Sequence, residues 1–510
     1  MKLHILAACV VCLVAGSGYA QDLPDEPVGL HINEPEAYDG YNLFSPLDST
    51  GSYLMDNEGH VLNVWQSPYR TFAAYLLDNG DLLRPMSRGN KGNGHFHGGG
   101  AGYGIEKFSW DGELLWRWTY SSEDHLIHHD IEPMPNGNIL FVAWERKSRA
   151  EALAVGRNPE HLSDDGLWPL HVVEITPVPP DDAKVVWEWH LWDHLIQDFD
   201  ESKENYGDPA AHPELMDINP PGAWLDRFSD EQRAQMEALG YLGGTDDEEE
   251  DEEPKADWMH TNAIDYNAEH DQIALSLLGN DEIIIIDHST TTEEAAGHTG
   301  GRYGKGGDIL YRWGNPQAYR AGTPDDQELY AQHDVRWVPD GYPGEGNLTI
   351  YDNGPGRPDG NYSRVVEIAP PYDDNGGYKY EPGRPFKPGE PAWEYTAPNK
   401  EDFFSAFISG TMRLPNGNTL ICQGADGTFF EVTPDKRVVW KYINPVIGPE
   451  DGNHRTDNEE PSNFTFRIDR YSKDHPAFQG KDLTPGPLLT EYIETHVPKA
   501  PLGPDEEAPT

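Results

Sequence analysis

His129, His260 and His333 stand at one position of an internal repeat, each opening a short stretch that runs into a turn. His129-Asp130-Ile131-Glu132-Pro133-Met134 leads to Pro135-Asn136-Gly137-Asn138, and His333-Asp334-Val335-Arg336-Trp337-Val338 leads to Pro339-Asp340-Gly341. Both histidines lie six residues before the turn proline. His260-Thr261-Asn262-Ala263-Ile264-Asp265 reaches Tyr266-Asn267 at the same offset. Two more copies carry no histidine: Pro415-Asn416-Gly417 has Ser409 at the matching place, and Asp78-Asn79-Gly80 has Phe72. A neutral imidazole can serve as a nucleophile, or as a general acid and base near neutral pH. Imidazoles recurring in phase are a candidate site if the fold makes their positions converge.

The elements that must position them are strands. Asn-Gly between two apolar runs is a strong hairpin signal, because a type I′ turn needs positive φ at both central residues. Each histidine therefore sits near the start of the strand leading into its hairpin. Tryptophan-bearing strand pairs alternate with these hairpins: Leu54–Asp56 with Val61–Trp65, Ile105–Phe108 with Leu114–Trp118, and Val172–Ile175 with Val185–Trp189. Ile283–Asp287 with Ile309–Trp313, Val365–Ile368 with Ala392–Tyr395, and Phe429–Val432 with Val438–Tyr442 complete the set. Six outer pairs and at least five inner hairpins predict an all-β, six-bladed β-propeller with a long irregular excursion between blades. The sixth inner hairpin is expected to join the termini, with Tyr41–Pro46 pairing a C-terminal strand to close the ring. In such a ring, equivalent inner positions converge on one axis. With 15 Trp, 25 Tyr and 52 Gly at only 37% hydrophobic residues, the core should be aromatic and β-branched.

Met1–Ala20 reads as a secretory signal: Lys2, an apolar Ile5–Val14, and Gly18-Tyr19-Ala20 as a small-x-Ala cleavage site. The run is too short to span a bilayer and none comes after it, so the mature chain is expected to be periplasmic or secreted, with no membrane span. Leu6-Ala7-Ala8-Cys9 matches a lipoprotein box placed too early for one, and loss of Cys9 and Cys12 with the signal leaves Cys422 alone. A formal net charge of −52 excludes nucleic acid and anionic membranes as partners. The run Asp246–Glu253 lacks the spaced Gly and Asn of a calcium loop and reads as solvated. The expected layout is a signal at 1–20, an N-terminal extension at 21–40, the propeller at 41–485 with an acidic excursion at 198–257, and a tail at 486–510.

Colder readings apply to the other histidines. His95 and His97, on a glycine-rich loop, are expected to face substrate or solvent rather than a metal, and His288 and His298 to lie on the surface. Strand alternation turns His128 away from His129, as a packing residue.

The strings Gly99-Gly100-Ala101-Gly102, Trp110-Asp111-Gly112 and His128-His129-Asp130-Ile131-Glu132-Pro133 resemble the bacterial arylsulfotransferase (aryl-sulfate sulfotransferase) family. So do Trp258-Met259-His260-Thr261-Asn262, Ile286-Asp287-His288-Ser289, Tyr311-Arg312-Trp313-Gly314-Asn315-Pro316 and Tyr351-Asp352-Asn353-Gly354, and the likeness spans about Tyr41 to Pro485. The resemblance implies a periplasmic six-bladed propeller that moves a sulfuryl group from a phenolic sulfate ester to a phenol, without a nucleotide donor, metal or cofactor. It implies His333 as the nucleophile and His129 as its second catalytic histidine, with His260 and Asn262, the His-x-Asn motif, holding the sulfuryl oxygens or shuttling the phenol proton. The family pattern also implies an arginine on the strand after His-x-Asn, where this chain has leucine near Leu278; Arg357 is the expected substitute. Two other readings remain: a non-catalytic ligand-binding propeller, and a quinoprotein dehydrogenase, which the single surviving cysteine disfavours. Donor, acceptor and oligomeric state are not legible.

Overall fold

A computed structural model describes residues 26–90, 92–220, 256–448 and 462–496. The signal segment, Cys9, the acidic run and the helix-like stretch 231–242 lie outside the described residues. The described chain is a six-bladed β-propeller of four-stranded antiparallel sheets.

Blade 1 joins both ends of the chain: from the axis outward, Thr465–Ser472, Gly40–Pro46, Gly51–Met55 and Val61–Gln66. Leu43 pairs with Asp469 and Phe44 with Ile468, so the strand expected to close the ring does so. Blade 2 runs Tyr75–Leu76, Leu82–Met86, Gly104–Phe108, Leu114–Thr119, and blade 3 runs His125–Pro133, Ile139–Glu145, Leu170–Val178, Asp182–His190. Blade 4 is Thr261–Asn267, Gln272–Leu277, Glu282–Asp287, Tyr311–Trp313, and blade 5 is His333–Trp337, Leu348–Asp352, Arg364–Ile368, Trp393–Tyr395. Blade 6 is Gly410–Arg413, Thr419–Gln423, Thr428–Val432, Val438–Ile443, and Gly29–Asn33 adds a fifth strand on its rim. After residue 485 the helix Leu489–Thr495 packs on the rim, with Leu489 in the apolar core shared by Tyr53 and Tyr442.

Blades stack face to face, so the middle strands are buried on both sides and read as continuous apolar runs such as Ile283–Ile286. Alternation divides each strand between neighbours. In blade 3, Phe141 and Val173 pack toward Ile105 and Trp116 of blade 2, whereas Leu140, Val142 and Val172 pack toward Leu275 and Ile284 of blade 4. The recurring tryptophans have one job. Each outer strand sends an indole Nε1–H into the outer hairpin of the next blade: Trp65 to Ser109 O (2.9 Å), Trp116 to Asp182 O (2.8 Å), and Trp187 to Thr290 Oγ1 (3.2 Å). Trp313 to Pro388 O, Trp393 to Pro434 O and Trp440 to Asn57 O (2.9 Å each) close the circle. A buried indole needs an acceptor for its one donor, and here that need fastens each blade to the next.

Candidate active site

The inner strands of blades 3, 4 and 5 begin with irregular pairing. Register shifts fall between Phe141 and Ala143, between Thr261 and Ala263, and between His333 and Arg336. Positive φ marks the same places: His129 at 51°, His260 at 44° and Asp334 at 55°. Left-handed backbone at residues bearing a side chain is strained and redirects the strand beyond it. The result draws the register histidines together at one end of the axis. The His129 and His260 rings meet edge to face with centroids 4.6 Å apart, and His260 is close enough to His333 for its charge to act there. Phe72 lies 6.2 Å from the His129 ring, and Phe466, from the closing strand, lies 6.0 Å from His333. Ser409 is buried beside blade 6, donating to Ser405 Oγ and accepting from Gly424 N.

His333 is held in a defined tautomer. The Asn353 amide donates from Nδ2 to Ser405 O (2.7 Å) and Ile408 O (2.9 Å), which turns its Oδ1 toward His333. That oxygen lies 2.7 Å from His333 Nδ1, and Ala331 O lies 3.2 Å from the same atom. Two acceptors require Nδ1 to carry the proton, so the lone pair is on Nε2. Burial pushes the imidazole down to about 3, against the pull of the Asn353 bond, so His333 is neutral throughout the physiological range.

His260 has a carboxylate partner that sequence reasoning missed. Asp257 Oδ2 lies 2.6 Å from His260 Nδ1, and Asp257 Oδ1 accepts from Trp144 Nε1 and the His260 amide. Burial alone would raise this carboxyl, but the His260 charge and these hydrogen bonds hold it below the usual range. The available signal was spacing, an acid three residues ahead of the histidine, within a stretch read as loop. His128 also departs from expectation. It does pack, stacked on Trp144 at 4.5 Å, but its Nδ1 lies 2.9 Å from His129 Nδ1 because positive φ at His129 breaks the alternation. Gly100 explains the glycine string: it accepts the His129 N–H, and a Cβ there would lie 2.1 Å from the His129 ring.

Asn262 donates to Gln332 O (2.8 Å), while its Oδ1 is buried without a hydrogen-bond partner among the described residues. Leu278 is buried in an apolar cluster with Phe72, Ala331, Phe407 and Phe466, and its amide reaches His260 O. Arg357 is engaged elsewhere: its guanidinium pairs with Asp352 (2.5 Å) between the Tyr330 and Tyr362 rings, 4.7 Å from each. Its link to the cluster is indirect, since Asp352 precedes the asparagine that holds His333. Arg467, which the sequence reading overlooked, bridges Asp130 (2.7 Å) and Asp334 (3.2 Å) and donates to Tyr75. These aspartates come directly after two of the histidines and accept backbone N–H groups from the next blade, Ile264 and Thr411. A layer of crosslinking charge thus adjoins the histidines.

The remaining histidines divide. His95 is exposed, and His97 lies edge-on to Trp168. His298 is exposed as expected. His288 is not a surface residue: it is largely enclosed between Asp271 (2.7 Å) and Glu174 (3.2 Å) of two blades. Burial opposes its charge, but these carboxylates overcome burial and raise it to about 9.

The family model for Arylsulfotransferase (ASST) matches residues 48–447, through all six blades. The chain belongs to the arylsulfotransferase family. No curated protein matches it. Solved structures similar in fold include a protein of unknown function from Bacteroides caccae, at 10% identity over 84% of this chain and 98% of that one, with a TM-score of 0.41. The periplasmic gluconolactonase of Pseudomonas aeruginosa is 11% identical over 85% and 99%, TM-score 0.37, and virginiamycin B lyase from Staphylococcus aureus 11% over 81% and 88%, TM-score 0.34. Likenesses this distant carry no argument about activity. Membership in the arylsulfotransferase family supports an aryl sulfotransferase function acting on small molecules, and no helix among the described residues is long and apolar enough to cross a membrane.

Proposed function

We propose that this arylsulfotransferase moves a sulfuryl group from a phenolic sulfate ester to a phenol by way of a sulfo-histidine on His333, with no nucleotide donor. The observation that carries the reading is the fixed amide of Asn353, which sets the lone pair of a neutral, buried imidazole on Nε2. That lone pair forms the N–S bond as the S–O bond to the donor phenol breaks. The departing phenolate takes a proton from His129 or His260. An acceptor phenol then returns a proton, its oxygen bonds sulfur, and the N–S electron pair goes back to Nε2. Asp257, 2.6 Å from His260 Nδ1, orients that ring toward the reacting group. Asn262 Nδ2, which gives one hydrogen to Gln332 O, has a second to offer the sulfuryl oxygens, and Arg357 acts from behind, holding Asp352 beside Asn353. Phe72, Phe466, Phe407 and Leu278 give the phenol ring an apolar seat. The sequence of Met1–Ala20 supports export, so the reaction belongs to a periplasmic or secreted protein.

The test is p-nitrophenyl sulfate with a panel of phenols and no nucleotide, then a donor pulse, digestion and mass spectrometry. An adduct of the mass of SO₃ is expected on the peptide holding His333. An adduct elsewhere, or full activity in His333→Ala, overturns the assignment. Leucine where the family pattern has arginine favours one second reading, a ligand-binding propeller; it becomes the better account if phenols bind but no transfer occurs.

A further inference from the structure

On the face away from the histidines, the loops joining the two outer strands of each blade are unequal. They are residues 56–60 in blade 1, 109–113 in blade 2, 179–181 in blade 3 and 433–437 in blade 6. In blades 4 and 5, which are neighbours, the same joints are residues 288–310 and 369–392. Loops of that length in a compact domain are usually functional. With the hairpin that follows Thr261–Asn267, these two enclose a cavity of about 730 Å³, within the ~300–1,000 Å³ of small-molecule sites. His260 stands at the other end of that strand, so the cavity and the histidines occupy opposite faces of the ring.

The walls are fixed before any ligand arrives. Gln272 is buried and clamps the two blades together: its Nε2 donates to Gly376 O (3.1 Å), and its Oε1 accepts from the Tyr378 hydroxyl (2.6 Å). Tyr303 donates to His270 O (2.6 Å), and Tyr372 donates to Gly346 O (3.0 Å). Gly376 has a φ of 81°, and a Cβ there would stand 2.8 Å from His270 Nδ1, so glycine is what lets the blade 5 loop lie this close. All three tyrosines line the cavity and are partly exposed. With their hydroxyl protons already given to the protein, what they offer a ligand is mainly ring carbon.

The polar lining supplies both donors and acceptors. Arg302 gives one N–H to Glu269 O (2.8 Å) and is otherwise exposed. Asp373 Oδ1 accepts from Asn375 N (2.7 Å) and Gly377 N (3.1 Å), which leaves Oδ2 as an acceptor. Arg302 and Lys305 stand against Glu269, Asp373 and Asp374, so neither sign prevails and an ion of either charge gains little here. A sugar ring matches such a lining: its C–H face is apolar and suits tyrosine, and each of its hydroxyls both donates and accepts. We propose that the cavity between blades 4 and 5 binds a neutral saccharide, a short stretch of glycan, on the face opposite the transfer site.

The site is tested on the mature chain by calorimetric titration with neutral trisaccharides of glucose, galactose, mannose and N-acetylglucosamine. Saturable binding of at least one of these is expected. It should weaken about 10-fold or more in Tyr303→Ala and in Arg302→Ala, and stay unchanged in His333→Ala. Sulfuryl transfer from p-nitrophenyl sulfate should in turn be unchanged in Arg302→Ala, which separates this site from the axis. Should Tyr303→Ala misfold, the exposed Arg302 carries the comparison, with near-UV circular dichroism reporting the fold. Failure of every trisaccharide to bind saturably overturns the proposal, as does binding that Arg302→Ala leaves intact. So does p-nitrophenyl sulfate binding to His333→Ala through Arg302 in the sugars' place, which would make the cavity an anion site.

Discussion

The rim and the axis of this ring repeat differently. At the rim, all six blades send a tryptophan into the next blade, and the circle has no gap. At the axis the corresponding position is histidine in three blades and Ser409 or Phe72 in two others. A feature present in every repeat serves what every repeat must do, which is to hold its neighbour. A feature present in some repeats serves something done once. The difference separates architecture from chemistry without reference to any relative.

Substitutions can break that separation. The largest effect is expected at His333, where alanine should lower sulfuryl transfer by about 10⁴-fold or more, the scale on which loss of a nucleophile reads out, with little change in thermal midpoint. His129→Ala and His260→Ala should lower it by about 10²–10⁴-fold, in the general acid–base range, and Asp257→Asn should behave like His260→Ala. Trp440→Ala should do the reverse, costing about 3–5 kcal/mol in denaturant unfolding while leaving turnover per folded molecule intact. If it also removes turnover in the folded fraction, rim and axis are not separable. Gly100→Ala sharpens the contrast, because the added methyl would stand 2.1 Å from the His129 ring on a backbone held at φ +76°: transfer should fall toward the His129→Ala level with some loss of stability, and the adduct on His333 should still form, slowly.

The smallest effect is on the pH dependence of stability. His128 and His333 are both depressed to about 3 by burial, so the unfolded chain binds protons that the folded one refuses. Stability should therefore fall as pH drops below 6.5 toward 3. His288 works with the opposite sign: its folded value near 9 means its contribution is full below 6.5 and lost as pH rises through 9. Urea midpoints should show both limbs, and His288→Gln should flatten only the alkaline one. An unchanged alkaline limb would remove His288 from the account.

The blades were legible because tryptophan spacing and Asn-Gly turns are local signals, and the three histidines because phase survives in one dimension. What stayed hidden depends on contacts between blades. Asp257 lies outside any strand and acquires meaning only against His260 and Trp144. His288 looked like loop until Glu174 of the preceding blade enclosed it. His128 was misdirected by an alternation rule that positive φ at His129 suspends. Arg467 gave no signal, since its partner Asp130 is 337 residues away and Asp334 lies in another blade.

The closing strand has a consequence for how the protein comes into being. Phe466 and Arg467 belong to Thr465–Ser472, which supplies the axial strand of the first blade. A nascent chain can lay down its other blades in order, with His129, His260 and His333 already made. Asp130, Asp334 and Tyr75 still lack their common crosslink until translation passes residue 472. Closure of the ring and completion of the charged layer beside the histidines therefore both wait for Thr465–Ser472, and a copy terminated before that strand lacks both at once.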